Sequence, residues 1–347
     1  MKKLLAVALL GTLVAMGCAR VVVPAKVTAI ELPDEYNTPD GMAVDKGGNI
    51  LLSCPNFNDD KPGAFILKID KDDKVSEVVK LPEHPDTKKP CGPLGIDVGP
   101  DGHLYVADNQ SFTTPEHKSR LLRVVMKGGK AEKVEVLVTG FIMANAVACH
   151  GDSVYVTESK FSTDPTPPMR SGVCRFKLSE LKGGKPIALK PNGGDPHVCA
   201  RLKTENMDWV GANGMGFGAD GTMYVCNFGD AKLEALTFNA EGKITSHTMV
   251  ARLHGMKSCD GMKVCPKTGD VYIADFLGNA VHKVDPKTGA ITTIAKNGNT
   301  SGRKGRLDRP SEPCLRGNKL YVANIDLPLA GNRFDKPHTI TVIELEE

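Results

Sequence analysis

The chain has 347 residues, with 44 lysines and arginines against 41 aspartates and glutamates, and it contains 36 glycines, 23 prolines and one tryptophan. Because basic and acidic residues are nearly equal in number, the chain has no excess of positive charge for binding nucleic acid, and we do not expect nucleic acid as a partner. The glycine and proline content favours many short strands joined by turns.

The N-terminus has the order of an export signal. Lys2 and Lys3 precede an apolar run over residues 4–15, which is too short to span a bilayer, and small residues lead to Cys18. The segment Ala15-Met16-Gly17-Cys18 resembles a bacterial lipobox. We expect residues 1–17 to be a lipoprotein-type signal peptide, Cys18 to be lipidated, and the protein to lie in the bacterial cell envelope with only a lipid anchor in the membrane. The alternative is ordinary signal cleavage nearby, which would leave a periplasmic or secreted protein.

A repeated pattern then occupies the rest of the chain. Each copy has a polar or small residue, an apolar strand, a turn and a second strand that ends in a polar or small residue; the copies begin at Pro39, Pro93, Ala144, Ala212, Cys259 and Ser311. They lie 47 to 68 residues apart, the length of a four-stranded propeller blade. The sequence therefore predicts an all-β protein in which residues 26–347 form a single six-bladed β-propeller. The longest spacing contains proline-rich and glycine-rich stretches, which we interpret as enlarged loops over residues 165–168 and 183–196.

The two ends of this region also have strand patterns. Residues 26–32 and 339–344 alternate apolar and polar side chains, and a propeller closes when one terminus completes the blade of the other. We predict that the N-terminal strand joins the sixth blade. The alternative fold is a β-sandwich with repetitive hairpins.

The second residue of each copy begins the strand that lines a propeller's channel. These residues are Asp40, Leu94, Asn145, Asn213, Asp260 and Glu312. Three carboxylates meeting on one axis would repel unless a cation neutralised them, and carboxylate and amide oxygens suit Ca²⁺ or another divalent cation. The alternative is that the Asp-Gly and Asn-Gly pairs only form turns. Because strands within a blade are antiparallel, the ends of the second strands should lie at the same face, and loops 55–62, 109–119 and 159–171 should rim it. These end residues are Cys54, Asp108, Glu158, Asn227, Asp275 and Asn324.

Three motifs carry a family resemblance: PDGM from Pro39, NGMGF from Asn213 and CDGM from Cys259. With the six blades, they resemble the senescence-marker-protein (regucalcin)/gluconolactonase family, whose wider relatives are paraoxonases and strictosidine-synthase-like propellers. The resemblance implies a channel calcium held by Asn213 and Asp260, with Asn145 close by. Asp40 stands where the family has Glu, and Glu312 is an additional carboxylate. Met143 replaces the family's sugar-acid-binding Arg, which argues against a sugar lactone as substrate.

This resemblance implies a calcium-dependent hydrolase of a small-molecule lactone or related ester. The ion would polarise the substrate's oxygen while a carboxylate activates water. Asp260 is the favoured general base, His254 is a second candidate and His84 a third. The competing function is a non-enzymatic propeller, similar to NHL-repeat proteins, that binds a protein or carbohydrate partner on its loop face; a relative that keeps calcium only for structure is a further alternative.

Nine cysteines follow Cys18, and export would permit disulfides. Cys174 with Cys199, and Cys259 with Cys314, are the pairs we expect first. The alternative is that the cysteines are small buried apolar residues. Trp209 either walls the channel pocket or anchors packing.

Overall fold

The computed structural model describes residues 20–21, 26–164, 166–252 and 255–345. The predicted signal peptide, Cys18 and His254 lie outside the described residues. Within them the regular structure is almost entirely strand, with a single 3₁₀ turn at Arg303–Gly305. No helix in these ranges is long and apolar enough to cross a membrane.

The strands are numbered in chain order. They are β1 (Arg20–Val21), β2 (Val27–Leu32), β3 (Met42–Val44), β4 (Ile50–Cys54), β5 (Ala64–Ile69), β6 (Val75–Leu81), β7 (Pro93–Val98), β8 (Leu104–Asp108), β9 (Ser119–Lys127), β10 (Lys130–Phe141), β11 (Ala144–His150), β12 (Ser153–Glu158), β13 (Met169–Lys177), β14 (Ile187–Ala188), β15 (Val198–Thr204), β16 (Ala212–Phe217), β17 (Met223–Asn227), β18 (Lys232–Phe238), β19 (Ile244–Arg252), β20 (Met262–Val264), β21 (Val271–Asp275), β22 (Ala280–Val284), β23 (Ile291–Lys296), β24 (Pro310–Arg316), β25 (Lys319–Asn324) and β26 (His338–Glu344).

Six sheets form the blades of a propeller. Their strand orders are β3-β4-β5-β6, β7-β8-β9-β10, β11-β12-β13-β15, β16-β17-β18-β19, β20-β21-β22-β23 and β24-β25-β26-β2. The first strands of successive blades contact one another in a closed circle, from β3 through β7, β11, β16 and β20 to β24 and back to β3. The predicted six-bladed β-propeller is therefore confirmed.

The core lies between the blades. Each second strand has an apolar, β-branched or aromatic sequence, such as Leu104–Asp108 and Val271–Asp275, and all five residues of each of these two strands are buried. Residues on the two faces of a blade pack against different neighbours, so Tyr105 joins a cluster with Val154 of the third blade, while Leu104 joins one with Leu51 of the first. This two-sided burial explains why these strands have continuous apolar runs.

The N-terminal strand closes the ring as predicted. Strand β2 pairs antiparallel with β26, from Val27 opposite Ile343 to Leu32 opposite His338, and it becomes the outermost strand of blade 6. Two short strands were not predicted: β14 pairs in parallel with β10, and β1 with β23. The enlarged loop of blade 3 thus pairs with the outermost strand of blade 2. A pairing of two residues is too short to leave a periodic pattern in the sequence.

Both expected disulfides are wrong: all nine cysteines of the described residues have free thiols. Cys174 packs in the cluster between blades 2 and 3, whereas Cys199 packs in the cluster between blades 3 and 4, so their side chains lie on opposite faces of one sheet. The thiol of Cys259 lies instead 2.7 Å from that of Cys226 on the neighbouring blade.

Candidate functional site

The channel contains the predicted ring of polar side chains. All five polar members line one cavity on the axis: Asp40, Asn145, Asn213, Asp260 and Glu312. The first four also form the floor of a second cavity directly above, which Leu94 joins. The structure therefore brings together every predicted metal ligand, with Glu312 the deepest of the five.

Bulges in the innermost strands aim these side chains at the axis. In blade 3, Ala144 faces Glu158 and Val147 faces Val156, so β11 has one residue more than β12 over this stretch, and Asn145 lies within it. The same irregularity surrounds Asn213 in blade 4. Because an extra residue bends the strand and turns a side chain away from the regular alternation, bulges commonly lie beside functional sites.

The glycines that follow the ring residues allow the innermost strands of adjacent blades to pack closely, and they do not form turns. Neither Gly41 nor Gly261 has a left-handed φ, and a Cβ atom on either would lie 2.3 Å from a backbone oxygen of the next blade, that of Leu94 or Ser311 respectively. The innermost strands can therefore approach this closely only where a side chain is absent. This geometry contradicts the alternative that the Asp-Gly pairs exist only as turn formers.

The ring carboxylates are electrostatically strained. Burial raises the pKa of Asp40 to about 6 and that of Glu312 to about 8. For Asp260, burial raises the pKa well above its ordinary value, the charges of Asp40 and Glu312 raise it further, and a hydrogen bond with Asn213 lowers it. A divalent cation among these groups would relieve both the repulsion and the lost hydration. Because the donors are all carboxylate and amide oxygens, the ring fits calcium.

One charged channel residue, Lys263, and the nearby carboxylate of Asp97 were missed by the sequence reasoning. Lys263 lines the deeper cavity with Glu312. Burial lowers the pKa of Lys263, but the charges of Glu312 and Asp97 outweigh this effect and raise it overall. Asp97 and Lys263 lie three positions after the ring residues of their blades, Leu94 and Asp260. In blade 2 a bulge between Pro93 and Ile96 accompanies this spacing, and the shared three-residue spacing is the mark that it leaves in the sequence.

The cavity above the ring has a polar floor and apolar walls. The volume of this cavity is about 170 Å³. Phe228, Phe276 and Ile325, which directly follow the second strands of blades 4 to 6, pack with Leu327 and Trp209 into one cluster along the wall. Trp209 thus both walls the pocket and anchors packing. A concave apolar site with a few convergent polar groups is the usual form of a small-molecule site.

The end residues of the second strands lie beneath the loops and fix them. Gly92 N–H donates to Asp108 Oδ1 (2.8 Å), and Met143 N–H donates to Glu158 Oε1 (2.7 Å). Ser258 N–H likewise donates to Asp275 Oδ1 (2.8 Å). In each case the donor belongs to the segment that leads into the same blade. These residues therefore position the loops and do not line the channel.

The loops differ in what they contribute. Loop 109–119 supplies Asn109 and Phe112 to the central pocket, whereas loop 55–62 lines an adjoining cavity that also contains Phe112. Loop 159–171 supplies Lys160 and Phe161 to a separate small pocket beside Glu158.

His84 is held as a structural residue. Its Nδ1 accepts the backbone N–H groups of Asp86 (3.1 Å) and Thr87 (3.2 Å), and its Nε2 lies 3.1 Å from the carbonyl oxygen of Lys118. Both ring nitrogens are therefore engaged with backbone, which leaves neither to act as a base. The other candidate histidine, His254, lies outside the described residues.

No protein-family model matches the sequence, and no curated protein matches it. Solved structures do. A luciferin-regenerating enzyme superposes with a TM-score of 0.61 at 14% identity, over 92% of this chain and 95% of its own. A gluconolactonase from Xanthomonas campestris superposes with a TM-score of 0.57 at 14% identity, over 92% of this chain and 90% of its own.

The chain has the fold of these enzymes. The motif resemblance is thereby confirmed at the level of fold. A PQQ-bound aldose sugar dehydrogenase from Streptomyces coelicolor also superposes, with a TM-score of 0.55 at 16% identity over 93% of this chain and 99% of its own. Because neighbours with different chemistry share this architecture, function has to be inferred from the site.

Proposed function

We propose that the protein is a calcium-dependent hydrolase of lactones or related esters that works at the top of its central channel. The observation that carries this proposal is the convergence of Asp40, Asn145, Asn213 and Asp260 at the floor of an apolar-walled cavity. A pocket used only for protein contact would not need buried carboxylates that raise one another's pKa.

The ring residues have distinct roles in this proposal. Asp40, Asn213 and Asp260 would hold the ion, with Asn145 beside them and Glu312 below. Bound calcium would supply a Lewis acid that polarises the carbonyl oxygen of the substrate. Lys263 balances the charge of Glu312 from the deeper cavity and so limits the negative potential that the ion must neutralise.

Asp260 is the proposed general base. Its side chain lines both cavities, so its carboxylate is placed at the border between the proposed ion site and the substrate space. A positioned base of this kind contributes roughly 10²–10⁴-fold to the rate. His254 remains the second predicted candidate.

The walls favour a substrate with an apolar portion. The pocket is lined by Phe112, Trp209, Phe228 and Phe276, and Met143, two residues before Asn145, lines the same cavity. Because none of the described residues that line this upper cavity has a cationic side chain, an aliphatic or aromatic lactone or ester fits better than a sugar acid.

The test is a panel of aliphatic, aryl and sugar lactones and esters, assayed with added calcium and with a chelator. We expect turnover of apolar substrates that the chelator abolishes, and its loss in Asp260→Asn with folding intact. Asp72→Asn changes an exposed acid on an outer turn and is the matched control. No turnover of any substrate by a calcium-loaded protein would refute the hydrolase and favour a binding propeller.

We also propose that the protein is exported and lipid-anchored at Cys18. The lipobox-like sequence before Cys18 supports this proposal. Expression in a bacterial host should place the protein in the membrane fraction, and Cys18→Ala should release it. Equal membrane association of both forms would refute the anchor.

A further inference from the structure

A second group of carboxylates lies in blade 6. Asp308 precedes β24, and Asp326 and Asp335 lie in the loop between β25 and β26. Each offers an oxygen, and these three atoms lie within 4.8 Å of one another. Asp308 and Asp326 are almost fully buried, at 2% and 3% exposure. Since buried carboxylates are seldom left together without a cation, this group needs an explanation.

Buried oxygens in this group have no donor. Asn332, at 7% exposure, donates from Nδ2 to Asp326 Oδ1 (2.7 Å) and to the carbonyl oxygen of Leu327 (3.2 Å), which fixes its orientation beside the carboxylates. Its Oδ1 then has no hydrogen-bond partner among the described residues. Oδ1 of Asp308 and Oδ1 of Asp335 also have no hydrogen-bond partner among these residues. Three unpartnered acceptors around one carboxylate are the arrangement that a cation would satisfy.

The neighbouring arginine does not satisfy them. Arg309 directs Nη1 to the carbonyl oxygen of Phe276 (3.0 Å) and Nη2 to that of Ala330 (2.8 Å). Its charge lowers the pKa of Asp308, but burial and the charges of Asp326 and Asp335 raise that pKa to about 8. Burial similarly raises the pKa of Asp326 to about 7. Arg309 therefore gives the unpartnered carboxylate oxygens of this group no hydrogen bond.

We propose that Asp308, Asp326, Asp335 and the amide oxygen of Asn332 form a binding site for a calcium-like divalent cation, separate from the channel. Calcium takes six to eight oxygen ligands, including backbone oxygens and waters, so these four side chains would supply part of its shell. No histidine or cysteine of the described residues belongs to the group, which disfavours zinc.

Such a cation would support the pocket wall. The loop that carries Asp326, Asn332 and Asp335 also carries Leu327 and Leu329, which line the cavity above the channel ring. Leu327 packs in the same cluster as Trp209. Joining the loop to Asp308 would therefore fix the wall against which a ligand packs, and Trp209 fluorescence would report it.

The experiment is calorimetric titration of the full chain with calcium chloride and with magnesium chloride, at mildly alkaline pH so that the carboxyls ionise. Asp335→Asn is the main variant because Asp335 is the least buried of the three acids. Asp260→Asn removes the channel carboxylate, and Asp72→Asn is the exposed control. We expect Asp260→Asn to keep a binding event that Asp335→Asn loses, and calcium to change Trp209 emission in Asp260→Asn even though the channel carboxylate is absent.

Asp308→Asn serves as a second variant, and thermal unfolding verifies that each variant is folded. The proposal is overturned if no cation binds to the wild type, or if Asp335→Asn binds with unchanged stoichiometry and heat. Loss of an event in Asp260→Asn alone would also overturn it while supporting the channel site, so the two sites succeed or fail separately.

Discussion

Gly261 and Glu312 meet across the boundary between blades 5 and 6, where a Cβ atom on Gly261 would lie 1.8 Å from Oε2 of Glu312. The Ser311 carbonyl oxygen, which accepts the Gly261 N–H (2.8 Å), would also clash. We expect Gly261→Ala to lower the free energy of unfolding by about 1–3 kcal/mol, the usual range for overpacking, because backbone must move. It should also weaken cation binding in the channel. Chemical denaturation and calorimetry measure the two effects.

Gly298→Ala is the control for this substitution. Gly298 has an ordinary φ, and no atom lies within 4 Å of the position its Cβ would take. The free energy of unfolding should change by only about a few tenths of a kcal/mol. Equal stability of the two variants would contradict the close approach of the inner strands.

Asp108 and Arg120 form a buried ion pair at 2.6 Å, with side-chain exposures of 0% and 5%. Arg120→Met keeps much of the side-chain volume but leaves Asp108 charged and unpaired, so we expect a loss of about 3–5 kcal/mol in unfolding free energy. Lys89→Met breaks the exposed pair with Asp60, which should cost at most about 1 kcal/mol. A loss from Arg120→Met as small as that from Lys89→Met would show that the buried pair is solvated.

Stability of the cation-free protein should fall as pH rises from about 5 to about 8. The folded protein keeps Asp40 protonated to about pH 6 and Glu312 to about pH 8, whereas the unfolded chain releases these protons near pH 4. Between these limits the folded state binds more protons, so raising the pH favours unfolding. The melting temperature in chelator should decline across this range. Asp40→Asn should lessen the decline, and calcium should lessen it further, whereas the buried Glu158 carboxyl, whose pKa burial raises to about 8, contributes a part that calcium leaves unchanged. A decline unchanged in Asp40→Asn would contradict the strained ring.

Phe112 tests the apolar wall without disturbing the core. Its side chain is 55% exposed, lines the pocket and contacts Phe57 at 4.6 Å between ring centroids. Phe112→Ala should raise KM for an apolar ester about tenfold, as expected for roughly 1.5 kcal/mol of lost apolar contact, and should leave kcat nearly unchanged. Met249→Ala, at a similarly exposed position on an outer strand, should change neither. An unchanged KM in Phe112→Ala would exclude this wall from substrate binding.

The sequence was sufficient to predict the blades, the closing strand and the polar ring, because each depends on a repeat. Asn145 and Asn213 occupy equivalent positions of their copies, and equivalent positions in a propeller meet at the axis. The approach of Asp97 and Glu312 to Lys263 was not predicted because it depends on the bulges of blades 2 and 6, which shift the alternation by one residue and leave little mark on composition.

The acidic group of blade 6 was beyond sequence reasoning for a different reason. Asp308 and Asp326 lie on opposite sides of a hairpin, and Asp335 lies in a loop whose course follows no period. The disulfide predictions failed because proximity along strands says nothing about which face of a sheet a thiol occupies. In both cases the decisive information was the direction of a side chain.

The closing strand β2 is the first of the blade strands to be synthesised, and its partner β26 is the last. On a chain that emerges from the ribosome in order, residues 27–32 have no partner until residues 338–344 exist. Blade 6 thus joins two segments that are separated by more than 300 residues of the chain. The ring of blades therefore cannot close until β26 has been synthesised, whatever the order in which the other blades form.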